Sequence, residues 1–493
     1  MHRRIIFIMT DTQRWDMVGC YGNPAMHTPH IDRLAADGMR FERAYTTQPV
    51  CGPARSAIFT GLYPHTNGMT TNSVALGANV KTIGQRLQGQ GIHTAYIGKW
   101  HLDGGDYFGL GRCPDGWDPA YWYDMRNYLE ELSSEDRLRS RRAGEDVDSA
   151  FCFGHRVTDR AERFIREASK ADEDCFLAVS YDEPHDPGLC PEPFRSMFSD
   201  YAFPKSANVL EKLEGKPDYQ RVWAGERLNL DATQAQIRAS SLLGANAYID
   251  AQIGRVLDAV DAYMPDAMVI YTSDHGDFLL SHSLCGKGPA AYDEIARIPL
   301  VVRWPGHIQH GVYPYPVSHI QLTPTILEAF GLPRARWIEG ESLMPAFQTP
   351  DSPVVDDVFI EFGRYEVDHD GFGGFQPLRA VFDGRYKLSV HLLSTDELYD
   401  LEADPNELTN LIASPSHAAI RDRLHDRLLR WMNETRDPLR GYYWERRPWR
   451  LDAPAPTWDY TSMTRQREHE EYEPRQLDYQ TGLEMTEATR RKG

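Results

Sequence analysis

Short apolar runs alternate with helical patterns along the first two-thirds of the chain, and this alternation limits the fold more than any other feature. The runs have the length of buried strands and lie at 5–9, 92–97, 176–181, 268–272 and 299–302. The predicted helices lie at 31–37, 56–60, 157–168 and 233–263. Strands that alternate with helices predict an α/β fold, in which a large, mostly parallel sheet is sandwiched by helices.

The pattern changes after about residue 353, where predicted strands follow one another without helices between them. These strands lie at 358–361, 378–382 and 386–391, and a predicted helix at 417–433 follows them. We therefore predict a larger N-terminal domain over residues 1–355, a smaller C-terminal α+β domain over residues 356–440 and an extended C-terminal tail over residues 441–493.

Net charge and cysteine content indicate which classes of partner are excluded and which cellular compartment is expected. The chain has 53 basic and 72 acidic residues, so its net charge of -19 argues against nucleic-acid or membrane binding, both of which need a positive face. The N-terminal apolar run at 5–9 is shorter than the roughly seven to fifteen residues of a secretory signal. Together with seven cysteines that show no tight pairing pattern, this predicts a cytoplasmic protein with reduced thiols.

Metal-capable side chains follow two of the predicted strands. Asp11 comes after the first strand, and Asp274 and His275 come after the strand at 268–272. Ligands of α/β proteins bind beyond the carboxyl ends of the strands, and an oxygen-rich set suits a hard divalent cation. For any one of these residues alone, an aspartate that caps a helix is the simpler interpretation.

The segment Cys51-Gly52-Pro53-Ala54-Arg55 leads into a predicted helix. Pro53 fits the first helical turn, which places Cys51 at the N-terminal end, where the helix dipole favours negative charge. Arg55 lies four residues further on the same face and can hold an oxyanion. The alternative is a buried, inert cysteine.

This Cys-x-Pro-x-Arg segment resembles the motif of the type I sulfatases, which depend on formylglycine and belong to the alkaline phosphatase superfamily. Further blocks of that family occur along the chain in the expected order. They are Ile8 to Gln13, Gly98 to Leu102, Glu183-Pro184-His185, Thr272 to Gly276, Gly286-Lys287, Ile298 to Gly306 and Leu398 to Leu411. The resemblance covers more than four-fifths of the chain and implies an alkaline phosphatase-like fold.

The resemblance also implies a mechanism and its residues. A maturation enzyme would oxidise Cys51 to formylglycine, whose hydrate is both nucleophile and metal ligand. The other expected ligands are Asp11, Asp274 and His275, and the cation is expected to be Ca²⁺, with Mg²⁺ or Mn²⁺ as alternatives. The residues expected to support the hydrate, hold sulfate and transfer protons are Arg55, Lys99, His101, His185 and Lys287.

Two departures from the family pattern leave alternatives open. Many members have two consecutive aspartates where this chain has Asp11-Thr12, so one ligand is lost or Gln13 supplies an amide oxygen. Ala54 replaces a common serine, and Cys-Gly-Pro-Ala-Arg also occurs in phosphonate monoester hydrolases. The predicted activity is therefore hydrolysis of a small organic sulfate ester, with a carbohydrate ester favoured, and the alternative is a phosphonate monoesterase or phosphodiesterase.

Substrate contacts are predicted from composition and position. An aromatic-rich insertion runs from Tyr107 to Tyr123 and could stack on a sugar or aryl group, or pack as hydrophobic surface between domains. Arg364 and His369 in the second domain are predicted to bind substrate. Because the substrate is an anion and the chain is acidic, we expect one local positive pocket around Cys51. The oligomeric state is not predicted.

Overall fold

The computed structural model describes residues 2–72, 74–171, 173–233, 236–365 and 374–453. The first sheet contains β1 (Arg4–Asp11), β2 (Met39–Tyr45), β3 (His93–Gly98), β4 (Cys175–Pro184), β5 (Met268–Ser273), β6 (Arg297–Ile298), β7 (Leu300–Arg303) and β8 (Gly311–Ser318). The second contains β9 (Val358–Arg364), β10 (Phe375–Phe382), β11 (Tyr386–His391) and β12 (Glu397–Asp400).

The longer helices pack against these sheets, and the shorter ones lie in the connections. They are α1 (Pro29–Asp37), α2 (Cys51–Thr60), α3 (Pro64–Asn67), α4 (Ile83–Gln88), α5 (Met125–Glu131), α6 (Ser134–Arg139), α7 (Phe153–Ala168), α8 (Phe194–Met197), α9 (Asp218–Ala224), α10 (Ser240–Tyr263), α11 (Asp293–Ala296), α12 (Leu322–Ala329), α13 (Met344–Gln348), α14 (Ala418–Glu434) and α15 (Tyr442–Glu445). No helix in these described ranges is both long and apolar enough to cross a bilayer.

Strand β1 lies at the centre of the first sheet. The strand order is β3-β4-β1-β5-β7-β2-β6, with β8 on β2, and β3, β4, β1 and β5 are mutually parallel. Phe7 and Ile8 belong to two different buried clusters, because successive side chains of a strand point to opposite faces of the sheet. Helices cover both faces, and the carboxyl ends of the four parallel strands meet along one edge.

The predicted α/β fold with a smaller C-terminal unit is confirmed, with differences in detail. The run at 299–302 becomes β7, which is antiparallel to β5, whereas the sequence pattern favoured a parallel strand. Strand β2 was missed because charged residues interrupt its pattern, and β8 because it contains two prolines. Proline is tolerated there because β8 pairs only with β2, at an edge of the sheet.

The predicted helix at 233–263 begins later, at Ser240, as α10. Before it, Ile237 forms an antiparallel bridge with Phe203. Burial of Ile237 in a small apolar cluster with Phe203 and Leu243 outweighs helix propensity there.

The second sheet is antiparallel in the order β12-β11-β10-β9, and α14 packs on it. Its core includes Val381, Leu388 and Leu428. The predicted domain boundary at residue 355 falls between α13 and β9, and the boundaries stay a prediction. Of the predicted tail, residues 442–445 form α15 with Trp444 buried, and residues 454–493 lie outside the described part of the chain.

Candidate active site

Cys51 is the first residue of α2, and it is fully buried at the edge where the parallel strands end. Proline at position 53 falls in the first turn, as the sequence predicted. Gly52 is closely packed, because a Cβ there would lie 2.7 Å from Cε of Met69 and 3.0 Å from Oδ1 of Asn72. Its N–H donates to Oδ1 of Asn72 at 2.8 Å, which fixes the approach of the chain to Cys51.

Three potential metal ligands lie around the sulfur of Cys51, which is itself the fourth member of the group. Asp11 ends β1, and Asp274 and His275 directly follow β5, so one edge of the sheet brings them together. One ligand atom from each of the four residues lies within 4.8 Å of all the others. Nδ1 of His275 donates to the carbonyl of Gly276 at 2.8 Å, which leaves Nε2 facing Cys51 Sγ at 3.2 Å as a lone-pair donor. Two carboxylates and an imidazole in this arrangement fit a divalent cation.

The buried side chain of Arg55 holds the carboxylates of Asp11 and Asp274 in place. Its Nε donates to Oδ2 of Asp274 at 3.1 Å, and its terminal Nη2 donates to Oδ2 of Asp11 at 3.0 Å. Its other terminal nitrogen donates to the carbonyl of Lys99 and to Oγ of Ser180, both at 2.7 Å. Burial opposes the charge, but the two aspartates raise the pKa of Arg55 above its ordinary value. Two guanidinium nitrogens thus hold the two carboxylates, and the third fixes the Arg55 side chain to Lys99 and Ser180.

Lys287 reaches the nucleophile position from the loop between β5 and α11. Its Nζ lies 2.6 Å from Sγ of Cys51, 3.2 Å from Nε2 of His275 and 3.5 Å from Nε2 of His185. The backbone carbonyl of Lys287 accepts a hydrogen bond from the hydroxyl of Tyr365 at 3.0 Å. Because Tyr365 directly follows β9, the C-terminal sheet helps to position this lysine.

Lys99, which directly follows β3, joins Asp11 to a second group of side chains. Its Nζ lies 2.9 Å from Oδ2 of Asp11 and 2.9 Å from Oδ1 of Asp182. The hydroxyl of Tyr107 donates to Asp182 and lies 3.1 Å from Nδ1 of His185. Sequence reasoning did not assign a role to Asp182, and it considered Tyr107 only for stacking on the substrate. The available signals were the position of Asp182 beside Glu183-Pro184-His185 and that of Tyr107 in the aromatic insertion.

His101 lies in the same buried site, in a left-handed backbone conformation with a φ of 58°. Burial lowers the pKa of His101, and a hydrogen bond with Cys51 acts in the opposite direction. The ring therefore tends to be neutral and able to accept a proton near Cys51. Its buried Nδ1 has no hydrogen-bond partner within the described residues.

Nearby cations shift the pKa values of Cys51 and Asp11. Burial and Asp11 raise the pKa of the Cys51 thiol, but Lys287 and Lys99 hold it well below its ordinary value. Burial likewise raises the pKa of Asp11, but Lys99, His185 and other cations hold it far below its usual range. The expected positive pocket stays a prediction, because Asp11, Asp274 and Asp182 pair with Arg55 and Lys99 at these strand ends.

Gln13 does not face the four-ligand group. Its Oε1 accepts hydrogen bonds from Oγ1 of Thr10 at 3.0 Å and from the hydroxyl of Tyr271, and its Nε2 donates to Asn246 at 2.6 Å. Both ends of the amide are occupied by neighbouring buried groups, which counts against the predicted role of Gln13 as a metal ligand. Thr12 instead donates its hydroxyl to Oδ1 of Asp11 at 2.7 Å.

Of the two predicted substrate-binding residues, Arg364 is not brought into the buried site. Arg364 is exposed at the end of β9, one residue before Tyr365, so it lies near the loop that carries Lys287. His369 lies outside the described residues. Their roles stay predictions.

Comparison with known proteins agrees with this geometry. The sulfatase family model matches residues 3–332, and the model described as N-sulphoglucosamine sulphohydrolase, C-terminal, matches residues 287–434. The chain is 41% identical over 487 residues to an uncharacterized sulfatase, YidJ, of Escherichia coli, covering 97% of this chain and 96% of that protein. It is 25% identical to an N-acetylglucosamine-6-O-sulfatase of Bacteroides thetaiotaomicron, covering 84% and 83% of the two chains.

A solved structure of a phosphonate monoester hydrolase from Silicibacter pomeroyi has the same fold. The TM-score is 0.72 at 22% identity, over 88% of this chain and 96% of that one. The family match over most of the length, the high identity to a sulfatase and the buried Cys51 site agree with one another. The chain belongs to the sulfatase family.

Proposed function

We propose that the protein releases inorganic sulfate from a small organic sulfate ester, with a formylglycine made from Cys51 and one divalent cation. The observation that carries this proposal is the position of Cys51 Sγ, which is 3.2 Å from His275 Nε2 and 2.6 Å from Lys287 Nζ. A carbohydrate ester is favoured because a relative covering most of the chain is an N-acetylglucosamine-6-O-sulfatase.

Asp11, Asp274, His275 and the residue made from Cys51 would hold the cation. When bound, the cation would act as a Lewis acid that stabilises negative charge on the nucleophile and on the sulfate oxygens. Calcium is the favoured ion because both aspartates offer hard oxygen donors, and Mg²⁺ and Mn²⁺ remain alternatives.

Formylglycine formation must precede folding of this region. Cys51 and every other residue of α2 are buried, so a separate maturation enzyme could not reach the thiol in the folded protein. We therefore infer that the maturation enzyme acts on the unfolded chain. The hydrate of formylglycine would supply one hydroxyl that attacks sulfur and a second whose deprotonation expels sulfate.

The residues of the chain then have separate tasks. Arg55 holds both aspartates in place, and Lys287 stabilises negative charge where the nucleophile forms. His185 donates a proton to the departing alcohol, with its ring oriented by Tyr107. His101, neutral at its buried position, accepts the proton from the second hydroxyl. Lys99 keeps Asp11 ionised and binds a sulfate oxygen.

The second candidate is the same reaction at phosphorus, as a phosphonate monoesterase or phosphodiesterase. It is favoured by Ala54 within Cys-Gly-Pro-Ala-Arg, the sequence that also occurs in phosphonate monoester hydrolases. A metal-assisted site of cations can stabilise the charge that develops on either sulfate or phosphonate oxygens.

Two measurements test the proposal. Mass spectrometry of the peptide that carries Cys51, from active protein made with the maturation enzyme, should show formylglycine. Unmodified cysteine in fully active protein would exclude this mechanism. Parallel kcat/KM values for an aryl sulfate, a phosphate diester and a phosphonate monoester should be highest for the sulfate, and a higher value for either phosphorus ester would favour the second candidate.

The proposed compartment is the cytoplasm. This is supported by the seven cysteines, all of which are free thiols in the described structure. A small, imported sulfate ester is the substrate that fits such a location. We do not propose nucleic acid or a membrane as a partner.

A further inference from the structure

A cavity of about 580 Å³ adjoins the active site. It shares His185, Tyr107 and Asp182 with that site, so it begins at the proposed proton donor to the departing alcohol. The volume is in the range of pockets that hold small ligands. Because of this position, the cavity can hold the carbon skeleton of the alcohol. The residues proposed to hold sulfate lie outside it.

Aromatic side chains form much of the cavity wall. Phe108 and Tyr128 line it with Tyr107 and Phe153, and the Phe108 and Tyr107 rings meet edge to face with centroids 5.3 Å apart. Aromatic faces attract organic cations as well as the apolar faces of sugars.

Glu183 adds a buried carboxylate to this aromatic wall. The residue is 6% exposed, and its Oε1 accepts a hydrogen bond from the backbone N–H of Gly154 at 2.8 Å. A Cβ at position 154 would lie 3.1 Å from both carboxylate oxygens, so glycine makes room for this group. The second oxygen, Oε2, is buried without a hydrogen-bond partner in the described part of the chain.

An unpartnered buried carboxylate oxygen is costly, and a positive charge nearby offsets part of that cost. Burial, together with Asp182, raises the pKa of Glu183 to about 7. A cation bound in the cavity would favour the ionised form of Glu183 through its charge.

The other charged groups of the cavity wall favour a cation over a second anion. Asp182 is paired with Lys99 on the active-site side, and Asp186 adds an exposed carboxylate. Arg141 is the one arginine among the lining residues, and its guanidinium lies over the ring of Phe108 at 5.0 Å. Among the described residues, no basic side chain is hydrogen-bonded to the carboxylate of Glu183.

We propose that this cavity binds an ammonium group on the alcohol part of the substrate, with Glu183 as the anionic partner and Phe108 and Tyr128 as aromatic walls. The inference rests on the proposed function and sharpens it. The substrate is then a zwitterion, in which Lys287 and Lys99 bind the sulfate end and Glu183 binds the ammonium end.

Two matched pairs of sulfate esters test this inference. Glucosamine 6-sulfate differs from glucose 6-sulfate by its amino group, and choline sulfate differs from 3,3-dimethylbutyl sulfate by its charge. We expect kcat/KM to be higher for the cationic member of at least one pair by about tenfold or more. In Glu183→Gln, which keeps the shape of the side chain, that ratio should fall to about threefold or less. Glu130→Gln, an exposed change on α5, should keep the wild-type ratio.

A binding measurement keeps the test independent of turnover. Calorimetric titration of the full chain with choline chloride should give saturable binding, and 3,3-dimethylbutan-1-ol should not. Glu183→Gln should lose this binding, and Phe108→Leu, a change at a half-buried ring, should weaken it.

The outcomes separate the two proposals. Hydrolysis of phenyl sulfate with equal kcat/KM within both ester pairs, and no binding of choline, would overturn the ammonium site and leave the sulfatase mechanism intact. An unchanged preference in Glu183→Gln would also overturn it. Choline binding that depends on Glu183, in protein that hydrolyses no sulfate ester, would support the cavity assignment and reject the proposed activity.

Discussion

The ammonium nitrogen of Lys287 lies 2.6 Å from the sulfur of Cys51, although 236 positions separate the two residues in the sequence. The contact joins the N-terminus of α2 to the loop after β5. It places a fixed positive charge where the nucleophile must become negative, in a buried region where such a charge acts strongly.

Replacing this lysine should mainly affect catalysis. We expect Lys287→Met to lower kcat/KM for an aryl sulfate by about 10²–10³-fold, the usual loss when one stabilising donor is removed. Circular dichroism should show an unchanged fold. Lys212→Met, at an exposed lysine, is the matched control and should keep wild-type kinetics. A loss below about threefold for Lys287→Met would mean that another group stabilises the nucleophile.

The metal content of two variants tests whether Asp274 and Gln13 are metal ligands. We expect Asp274→Asn to lose bound calcium, measured by mass spectrometry of the dialysed protein, because it removes an anionic donor from the four-ligand group. Gln13→Met should keep its calcium but lower the free energy of unfolding by about 1–3 kcal/mol, because it leaves buried partners unsatisfied. Loss of calcium from Gln13→Met would instead support the role predicted from the sequence.

Arg55→Lys tests whether the guanidinium fork holds the site together. A lysine cannot reproduce the separate bonds to Asp11 and Asp274, so a buried charge loses a partner. We expect the free energy of unfolding in urea to fall by about 3–5 kcal/mol. Arg33→Lys, in a partly exposed pair with Asp258, should change it by less than about 1 kcal/mol. A similarly small fall in the free energy of unfolding for both variants would contradict the role of Arg55 in holding the site together.

The contact between His65 and Glu361 joins α3 to β9 and predicts a pH dependence of stability. Burial lowers the pKa of His65, but Glu361 beside it and Asp437 raise it above its ordinary value, against an opposing effect of Arg379. Stability from the charged histidine is complete below the unfolded pKa of about 6.5 and is lost as pH rises through the higher folded pKa.

The measurement is the difference in Tm between the wild type and Glu361→Gln. This difference should be largest near pH 6 and should shrink towards about pH 9, because the variant lacks the anion that stabilises the charged ring. A difference that is constant over this range would show that the histidine stays neutral in the folded protein.

Arg364 remains a candidate for substrate contact because it lies at the exposed end of β9 beside Tyr365. We expect Arg364→Ala to raise KM for the physiological ester more than for a small aryl sulfate, because only a larger alcohol reaches that rim. Equal changes in KM for both esters would place Arg364 outside substrate recognition.

The sequence predicted the parallel strands and most of the buried site because local patterns determine both. The apolar runs place Asp11, Lys99, His185 and Asp274 at strand ends, and parallel pairing then brings these ends together. The antiparallel direction of β7 could not be predicted from the local sequence, because the pairing of a strand depends on how the chain returns to the sheet.

Side-chain orientation was the second limit of prediction. The sequence places Gln13 two residues from a ligand, but buried partners from β5 and α10 turn its amide away. Tyr107 and Asp182 meet only after a long insertion folds back over the sheet. The unpartnered oxygen of Glu183 has no sequence signature, because it results from the space that Gly154 leaves.

The hydrogen bond from Tyr365 to the backbone of Lys287 has a consequence for how this enzyme can evolve and be engineered. Because Lys287, a proposed catalytic residue of the large unit, is anchored by the small one, the two sheets are not interchangeable modules. A chimera that takes its C-terminal sheet from another sulfatase would inherit an intact cation site, yet its turnover would depend on whether the donor sheet restores that anchor.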